Sequence, residues 1–290
     1  PSSLTINSDI IRQYQSQKFR DGDLGASNIT VDELIRRNYT FDLQYTLNYK
    51  LTNSLSLNFT SSNNHIVRNY FINNDLNGDQ DPTLGVWDRF FDFGDPNRHS
   101  QQMGINYELP LKKIPVLSFL TANYSYTGDF LWTKGSDLLG QLNINGQTYD
   151  LGNSISNANQ HNLNTSFDMR KLYRYIGIKK SKSSRPSRVQ SNKNKQGSAK
   201  KKFNLKDFGI GLLTSINRMQ INYSENNSSF LPGYLQTPGF IGTMKPTLGY
   251  TMGSQRDVRK ISAQNGWLTT FNQFNQQYTE THNENLNYSI

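Results

Sequence analysis

Residues 38–51, NYTFDLQYTLNYKL, alternate strictly between apolar and polar side chains. A period of two over this length indicates a β-strand with one apolar face and one polar face. Tyr39 and Tyr49 would stand roughly 33 Å apart at about 3.3 Å per residue. Tilted by about 40°, that distance projects to roughly 25 Å, the height of the apolar band of an outer-membrane barrel. A strand of a soluble sandwich or meander would also alternate, and Tyr45 at mid-height suits a membrane poorly.

The composition favours a barrel over a soluble domain with one large core. Only 34% of the 290 residues are hydrophobic, and the mean hydropathy is −0.72. Both values are low for a compact core of this size, whereas a polar lumen and polar loops would account for them. The chain has no cysteine, which excludes disulfides and cysteine-based zinc or redox sites within it. The chain begins at Pro1 and stops inside an alternating run, so we expect it to be a segment of a longer protein.

The net charge of +9 comes from one tract. Residues 179–202 contain eight lysines and two arginines and no acidic residue, while the whole chain has 31 basic and 22 acidic side chains. The rest of the chain is therefore close to neutral. The tract lacks aromatic residues for base stacking and lacks an amphipathic period. A disordered, solvated loop is the favoured interpretation, and contact with nucleic acid, lipid phosphate or an acidic partner stays open.

Further alternating runs follow along the chain. Short turns separate some of them, at 52–54 and 110–115, and long polar connections separate others, at 65–98, 130–158 and 225–277. Up-and-down outer-membrane barrels have short periplasmic turns and longer extracellular loops. The alternating runs are 55–60, 103–109, 120–127, 162–169, a run ending at 223, and 286–290.

The sequence therefore predicts an all-β fold in which antiparallel up-and-down strands form part of a large transmembrane outer-membrane β-barrel with long extracellular loops. Residues 1–37 are predicted to be a polar lead-in that forms an extracellular loop. Residues 38–178 are predicted to be barrel strands in hairpins with long loops at 65–98 and 130–158. Residues 179–202 are predicted to be a basic, disordered periplasmic loop, and 203–290 further barrel strands with a long loop at 225–277.

The alternation also predicts which side chains meet water and which meet lipid. The polar side chains of the strands are mostly amides and hydroxyls, which would hydrate a lumen without holding what passes through it. The predicted lumen-facing residues are Asp42, Gln44, Asn48, Asn106, Glu108, Asn123, Ser125, Asn162, Asn164 and Ser166. The predicted lipid-facing residues are Tyr39, Phe41, Leu43, Leu47, Tyr49, Tyr107, Tyr124 and Phe167.

The sequence contains no arrangement of residues that predicts catalysis. The four histidines are scattered, and no nucleophile elbow, phosphate-binding loop or dinucleotide fingerprint is present. We therefore expect no catalytic residue, no metal site and no cofactor. Residues 87–96, WDRFFDFGDP, are more aromatic than a solvated loop requires. They are predicted to pack on the barrel mouth or a plug-like element, and a sugar-binding platform is a less favoured alternative.

The ordered series of short motifs resembles the SprA family, the giant outer-membrane translocon of the type 9 secretion system in Bacteroidetes. The series spans nearly the whole chain, and the run from Tyr107 to Pro115 with its return to Tyr124 is the most telling part. One departure is 68–70, where the family pattern would have an acidic, proline-containing turn. The other matching segments are Ile6–Asp9 with Lys18–Arg20, Phe93–Gly94 through His99–Gln102, Gly152–Ile155, Leu231–Tyr234, Pro238–Phe240 and Gly266–Leu268.

This resemblance implies a barrel far larger than 290 residues can close, so the chain would supply one arc of its wall. It implies a location in the cell outer membrane, a link to gliding motility and export of folded cargo proteins that carry a C-terminal secretion signal. It also implies as partners a PorV-type barrel subunit, a plug protein and other periplasmic components, together with outer-membrane lipid and no nucleic acid. Two other classes stay open: a small-solute porin or receptor-type barrel, and a secreted β-rich adhesin.

Overall fold

The structure of the chain is a computed structural model that describes residues 3–18, 33–72, 78–137, 140–178 and 214–290. The chain divides into two compact units, each assembled from separate stretches of sequence. Unit 1 comprises Pro1–Ile105, Tyr126–His161 and Asn226–Asn283. Unit 2 comprises Asn106–Ser125, Asn162–Glu225 and Glu284–Ile290.

Long β-strands dominate the described residues, where eight strands form one sheet in the order β1-β2-β3-β4-β5-β8-β9-β10 and β6 and β7 form a separate hairpin. In the described part of the chain, three helices and three short 3-10 turns interrupt the connections. The strands are β1 Ser3–Gln17, β2 Leu34–Lys50, β3 Leu55–Ile66, β4 Asp95–Leu109, β5 Leu120–Thr133, β6 Gln141–Ile144, β7 Gln147–Asp150, β8 Asn153–Asp168, β9 Arg218–Tyr234 and β10 Thr279–Ser289. The helices are α1 Met169–Tyr175, α2 Leu248–Thr251 and α3 Arg259–Gln264, and the 3-10 turns are Leu111–Lys113, Pro115–Leu117 and Asn272–Gln276.

The predicted all-β, antiparallel, up-and-down arrangement is confirmed. Neighbours in the sheet are neighbours in the chain, apart from the small hairpin inserted between β5 and β8. The connection after β2 is a tight turn in which the Thr52 hydroxyl accepts hydrogen bonds from the amides of Ser54 and Leu55. Connections after β3, β5 and β9 are long. Within the described residues the sheet is not closed.

The expectation of a polar loop over residues 1–37 is wrong for the described part of that range, because residues 3–17 form β1 and β2 begins at Leu34. Residues 19–32 of the predicted loop lie outside the described residues. This strand pairs antiparallel with β2 along its whole length, with Ile10 opposite Phe41 and Ile6 opposite Tyr45. Backbone ladder bonds do not depend on side-chain polarity, so a mostly polar strand can pair when its neighbour offers a long free edge.

The long connections are also shorter than predicted. Strand β3 continues to Ile66, β5 to Thr133 and β9 to Tyr234, and β8 begins at Asn153. At these strand ends the face that is apolar elsewhere carries polar side chains such as Asn63. The contrast between apolar and polar side chains at alternate positions disappears there, so the sequence pattern no longer indicates a strand.

Within 38–178, predicted as strands and loops, the last residues instead form helix α1. The Asp168 carboxylate accepts a hydrogen bond from the Lys171 amide and so caps the first turn. In the same unit the Asp168 amide donates to the Phe119 carbonyl at 2.8 Å. The predicted basic loop at 179–202 lies outside the described residues.

Two apolar clusters form the core of unit 1. The larger consists of buried residues from β5, β8, β9 and the long connection after β9, namely Phe130, Trp132, Ile155, Leu231, Tyr234, Tyr250 and Val258. The smaller one joins Tyr39 of β2 to Val67 and Tyr70, with Phe71 and Leu84 packed against it. Each cluster buries a strand surface under a connection of the chain, so these connections are part of the packed structure.

Two arginines hold the connection after β3 against the sheet. The Arg12 guanidinium donates to four backbone carbonyls, those of Val86, Asp88, Arg89 and Phe90, at 2.8–3.2 Å. It also lies 5.0 Å from the Tyr39 ring centroid. Arg37 donates to two further carbonyls of the same connection at 2.8 Å. A planar guanidinium with five donors is suited to bridging several carbonyls at once.

Replacing Arg12 by lysine should free residues 86–90 while leaving the sheet paired. An ammonium cannot reach four carbonyls in a fan, and each charge-assisted bond contributes about 1.5–3 kcal/mol. Hydrogen exchange of the 86–92 amides should accelerate at least about tenfold, since about 1.4 kcal/mol corresponds to a factor of ten. Arg36→Lys, an exposed position on β2, serves as the control. Equal protection of these amides from hydrogen exchange in both variants would contradict the role of Arg12 in holding residues 86–90.

A small ionic cluster joins two connections of unit 1. The Asp137 carboxylate lies 2.6 Å from the Arg68 guanidinium and 2.7 Å from the Lys134 ammonium. Burial raises the pKa of Asp137, but hydrogen bonds and charge from Lys134 and Arg68 outweigh it and leave the pKa below its usual value. The ionised carboxylate therefore joins Arg68, in the connection after β3, to the connection after β5.

The contribution of Asp137 to stability should depend on pH. A carboxyl whose pKa is lowered in the folded state stabilises it above the pKa of the unfolded chain, about 3.9, and that contribution is lost as the pH falls through the lower folded value. Asp137→Asn should therefore reduce the free energy of unfolding by about 1 kcal/mol at pH 7 and by less at pH 3. Denaturant unfolding at both pH values measures this, with Asp9→Asn on β1 as the control. A loss that is equal at the two pH values would refute the ionic contribution.

Candidate functional site

The two faces of the sheet in unit 1 differ in chemistry, and the register of β2 defines them. Tyr45 stands opposite Ser61 and Ile6, and Leu47 opposite Phe59 and Leu4, so these side chains share one face. The other face carries the alternate residues. We call the first the outer face and the second the groove face.

The groove face is lined mainly by hydroxyl and amide side chains, with the apolar residues Leu131 and Phe230 and the charged residues Arg98 and Asp129 among them. A groove of about 550 Å³ runs across it, bordered by residues of β2, β3, β4, β5, β8, β9 and β10. A groove bordered by seven strands indicates that the sheet curves around that face. Its lining includes Gln44, Thr60, Ser62, Ser100, Gln102 and Ser156.

The structure brings only some of the predicted lumen residues to this groove. Gln44 lines it. Asp42 and Asn48 lie on the same face, where Asp42 accepts from the Asn64 amide at 2.7 Å and Asn48 donates to the Ser3 hydroxyl at 3.3 Å. The others belong to unit 2 and are exposed or half-buried there: Asn106, Glu108, Asn123, Ser125, Asn162, Asn164 and Ser166. Among them, Glu108 forms an exposed ion pair with Lys112 at 3.8 Å.

Two of the predicted lipid-facing residues are covered by protein, so that prediction is wrong for them. Tyr39 is 2% exposed and Phe41 is 5% exposed. The Tyr39 ring packs edge-on against Tyr70 at 5.3 Å, and Phe41 lies 4.6 Å from Phe93 and 5.7 Å from Phe240. The long connections fold back onto this end of β2, which a strand pattern alone cannot reveal.

The remaining predicted lipid-facing residues are not covered in this way. Leu47 and Tyr49 are exposed on the outer face, at 42% and 45%, and Leu43 is half-buried. In unit 2, Tyr107 is exposed, and Tyr124 and Phe167 are half-buried. The outer face of β2 thus has a covered half, at Tyr39 and Phe41, and an open apolar half, at Leu47 and Tyr49.

Residues 235–255, which we call the covering segment, lie on the outer face and are held by hydrogen bonds from strand side chains. Five strand side chains donate to backbone carbonyls of the segment. The pairs, each with the side-chain donor first and the residue of the accepting carbonyl second, are Tyr45 and Ile241 at 2.7 Å, Tyr126 and Met252 at 2.7 Å, Trp132 and Gln236 at 2.9 Å, Asn159 and Gly253 at 2.8 Å, and Asn157 and Tyr250. Carbonyls buried without such donors would cost about 1–3 kcal/mol each, so this set specifies where the segment lies.

Sequence reasoning missed this arrangement, although β8 carries a trace of it. Its outer-face residues run from Ile155 through Asn157 and Asn159 to Leu163, with two buried amides among apolar residues. Buried amides on the strand face that carries Ile155 and Leu163 are the signal for a backbone lying on the strand.

The covering segment also contributes a buried tyrosine. Burial raises the pKa of Tyr250 to about 12, although a hydrogen bond from Ser229 opposes the shift. The two hydroxyl oxygens are 3.1 Å apart. Tyr250 therefore stays protonated at physiological pH and keeps this polar contact inside the larger apolar cluster.

The described residues contain no group of three or more histidine, cysteine, aspartate or glutamate side chains that could hold a metal ion. No helix in the described part of the chain is long and apolar enough to cross a membrane. No protein-family model matches the sequence, and no curated protein matches it significantly.

The covering segment approaches β5 so closely that only glycine fits at position 128. A Cβ atom there would lie 2.1 Å from the Met252 carbonyl oxygen and 3.0 Å from the Gly253 Cα. Gly128→Ala should therefore push the segment off the outer face and destabilise the protein by about 1–3 kcal/mol. The expected result is faster proteolysis within 235–255.

Gly104→Ala on β4 is the matched control, because the three atoms nearest to a Cβ there all belong to the movable side chain of Asn58. If the two alanine variants resist protease equally, the close contact between Gly128 and the segment does not hold the segment in position.

Proposed function

We propose that this chain forms an arc of the wall of a large outer-membrane channel that exports folded proteins, in the manner of the type 9 secretion system. The observation that carries the proposal is the polarity of the two sheet faces in unit 1. The face that curves around a groove is polar, and the opposite face exposes apolar side chains such as Leu47 and Tyr49. A soluble protein would bury its apolar strand face, whereas a wall between lipid and water exposes it.

The chemistry of the groove suits passage better than binding. Its lining is mostly serine, threonine and amide side chains, and its charges are few. One of these, Asp129, is already engaged by the Gln102 amide at 2.7 Å. Most of the lining consists of short polar side chains that hydrate a surface, and the aromatic and arginine side chains of the kind that give interfaces most of their affinity are limited in this lining to Phe130, Phe230 and Arg98.

The edges of the sheet support a wall that continues beyond these strands. Among the described strands, β1 and β10 are the two edges, and β10 is exposed along its whole length. Leu286 and Tyr288 on β10 are more than 60% exposed. Long edges with exposed apolar residues are usually avoided because they recruit other strands, and in a larger barrel neighbouring strands would cover them.

The resemblance of the ordered motifs to the SprA family supports the more specific part of the proposal. On that basis the cargo would be folded proteins with a C-terminal secretion signal. The partners would be a PorV-type subunit, a plug protein, other periplasmic components and outer-membrane lipid. The location would be the cell outer membrane, and the transport would be linked to gliding motility.

Making the groove apolar should slow export without preventing assembly. The triple variant Ser62→Leu, Ser100→Leu and Ser156→Leu adds an apolar patch to the groove, and such patches bind the exposed apolar surface of passing proteins. Secretion of cargo into the medium should fall severalfold while cargo accumulates in the periplasm. Immunoblots of medium and periplasm from cells with normal amounts of the full-length protein measure this.

The matched control replaces the same three serines by glutamine, which adds similar bulk but stays polar, and it should export at close to the normal rate. Normal export by a correctly assembled leucine variant would mean that the groove is not on the export path. A changed uptake of small solutes with normal export would favour a porin, and a protein released in soluble form would favour an adhesin.

A further inference from the structure

The covering segment begins with a tight turn whose tip is apolar. The amides and carbonyls of Gly239 and Gly242 are bonded to each other in both directions at 3.0 Å, which leaves Phe240 and Ile241 as the two central residues. Two-residue turns normally carry glycine, asparagine or aspartate at these positions. Phe240 is 47% exposed and Ile241 is 69% exposed. Phe240 and Ile241 depart from this residue preference, and such departures are expected at functional sites.

The tip is held rigidly against the outer face. The Phe240 ring stacks on Phe41 with 12° between the ring planes and lies 5.8 Å from the His65 ring. The Ile241 carbonyl accepts the hydrogen bond from the Tyr45 hydroxyl. Behind the turn, a Cβ at Gly242 would lie 2.9 Å from the Gln101 side chain, so the backbone is seated directly on β4. The exposed side chains are therefore presented from a fixed support.

The apolar surface extends beyond the tip. Met244 is 71% exposed, and Leu248, at the start of α2, is 53% exposed. Between residues 235 and 255 the only charged residue is Lys245. Its ammonium lies 3.0 Å from the Gln236 side-chain oxygen and 5.2 Å from the Trp267 ring centroid. Exposed apolar residues beside one lysine and one tryptophan are typical of the boundary between lipid acyl chains and headgroups.

The tip lies beside the open apolar half of the outer face. Tyr45, which holds the tip, is followed on the same face of β2 by the exposed residues Leu47 and Tyr49. On β1, Leu4 stands opposite Leu47 and Ile6 stands opposite Tyr45, and each of these two β1 residues is 62% exposed. The apolar surface of the turn is thus continuous with the open apolar half of the outer face, and it begins where the covered half ends. We therefore expect Ile241 to be exposed to the same surroundings, lipid or water, as Leu47 and Tyr49.

We infer that residues 240–248 are a membrane-interface anchor, in which Ile241, Met244 and Leu248 insert into the headgroup and acyl boundary of a lipid bilayer. The inference rests on the proposed function, because it takes the outer face at Leu47 to be in lipid. It adds a second contact with the membrane, made by a connection instead of a strand. Apolar side chains on a rigid support beside a cation bind such a boundary by burying apolar area, and they fix the depth of the strands.

Spin labels on single cysteines test the anchor, since the chain has no cysteine of its own. The full-length protein, with any other cysteine replaced, is reconstituted in phospholipid bilayers and labelled at Met244→Cys, Leu47→Cys or Gln264→Cys. Electron paramagnetic resonance then measures collision of each label with oxygen, which concentrates in lipid, and with a water-soluble nickel chelate. Gln264 is exposed at the end of α3 and is the aqueous reference.

We expect the Leu47 label to collide with oxygen and not with nickel, and the Gln264 label to do the reverse. The Met244 label should lie between them, with oxygen collisions severalfold above those of Gln264 and nickel collisions severalfold below. Leu248→Cys repeats the measurement at a second exposed site, which guards against a disturbance caused by one label.

The outcomes separate the anchor from the proposed function. If Met244 and Leu248 behave like Gln264 while Leu47 is in lipid, the anchor is refuted and the membrane wall stands. If labels at Met244 and Leu248 are shielded from both reagents, a protein contact covers the tip and the anchor is also refuted. If Leu47 itself behaves like Gln264, the membrane wall fails and the anchor fails with it.

Discussion

Everything in unit 1 depends on the register of β2 between its two neighbours. With Phe41 opposite Ile10 on one side and His65 on the other, every second residue of three strands falls on the outer face. A slip by one residue would move Leu47 and Tyr49 to the groove face and Gln44 to the outer face. The polarity on which the proposed wall depends is therefore a consequence of backbone pairing. The tight turn at Thr52 starts this register, since it fixes which residues of β2 and β3 meet first.

The outer face is divided by how its polar groups are satisfied. Where the covering segment lies, half-buried or buried donors such as Tyr126 and Asn159 meet backbone carbonyls, and aromatic rings such as Phe240 complete the packing. Where the segment is absent, the large exposed side chains include Leu47 and Tyr49, which need few hydrogen-bond partners. Amides exposed to lipid would be costly, because no water is available there. The distribution of amides along the strands thus matches the reach of the covering segment.

The connections contribute to the packed structure, and they do so through backbone groups. Arg12 and Arg37 bind carbonyls of the connection after β3, and five strand side chains bind carbonyls of the covering segment. Side-chain donors that bind main-chain carbonyls hold a loop in place whatever side chains the loop carries. The loop is then free to present exposed apolar residues such as Ile241 and Met244, which contribute little to its own packing.

The sequence by itself determined the all-β class, the antiparallel up-and-down order and the faces of residues in the middle of β2. Alternation with period two is a local property that needs no knowledge of neighbours, and it correctly placed Gln44 and Leu47 on opposite faces. It missed β1 and the ends of β3, β5 and β9, because both faces carry polar side chains there and the apolar–polar alternation is lost. Only the tertiary structure decided that Tyr39 and Phe41 are buried and that residues 240–248 lie on the outer face. These positions depend on contacts between residues up to almost 200 positions apart, such as Tyr45 and Ile241, which no local period encodes.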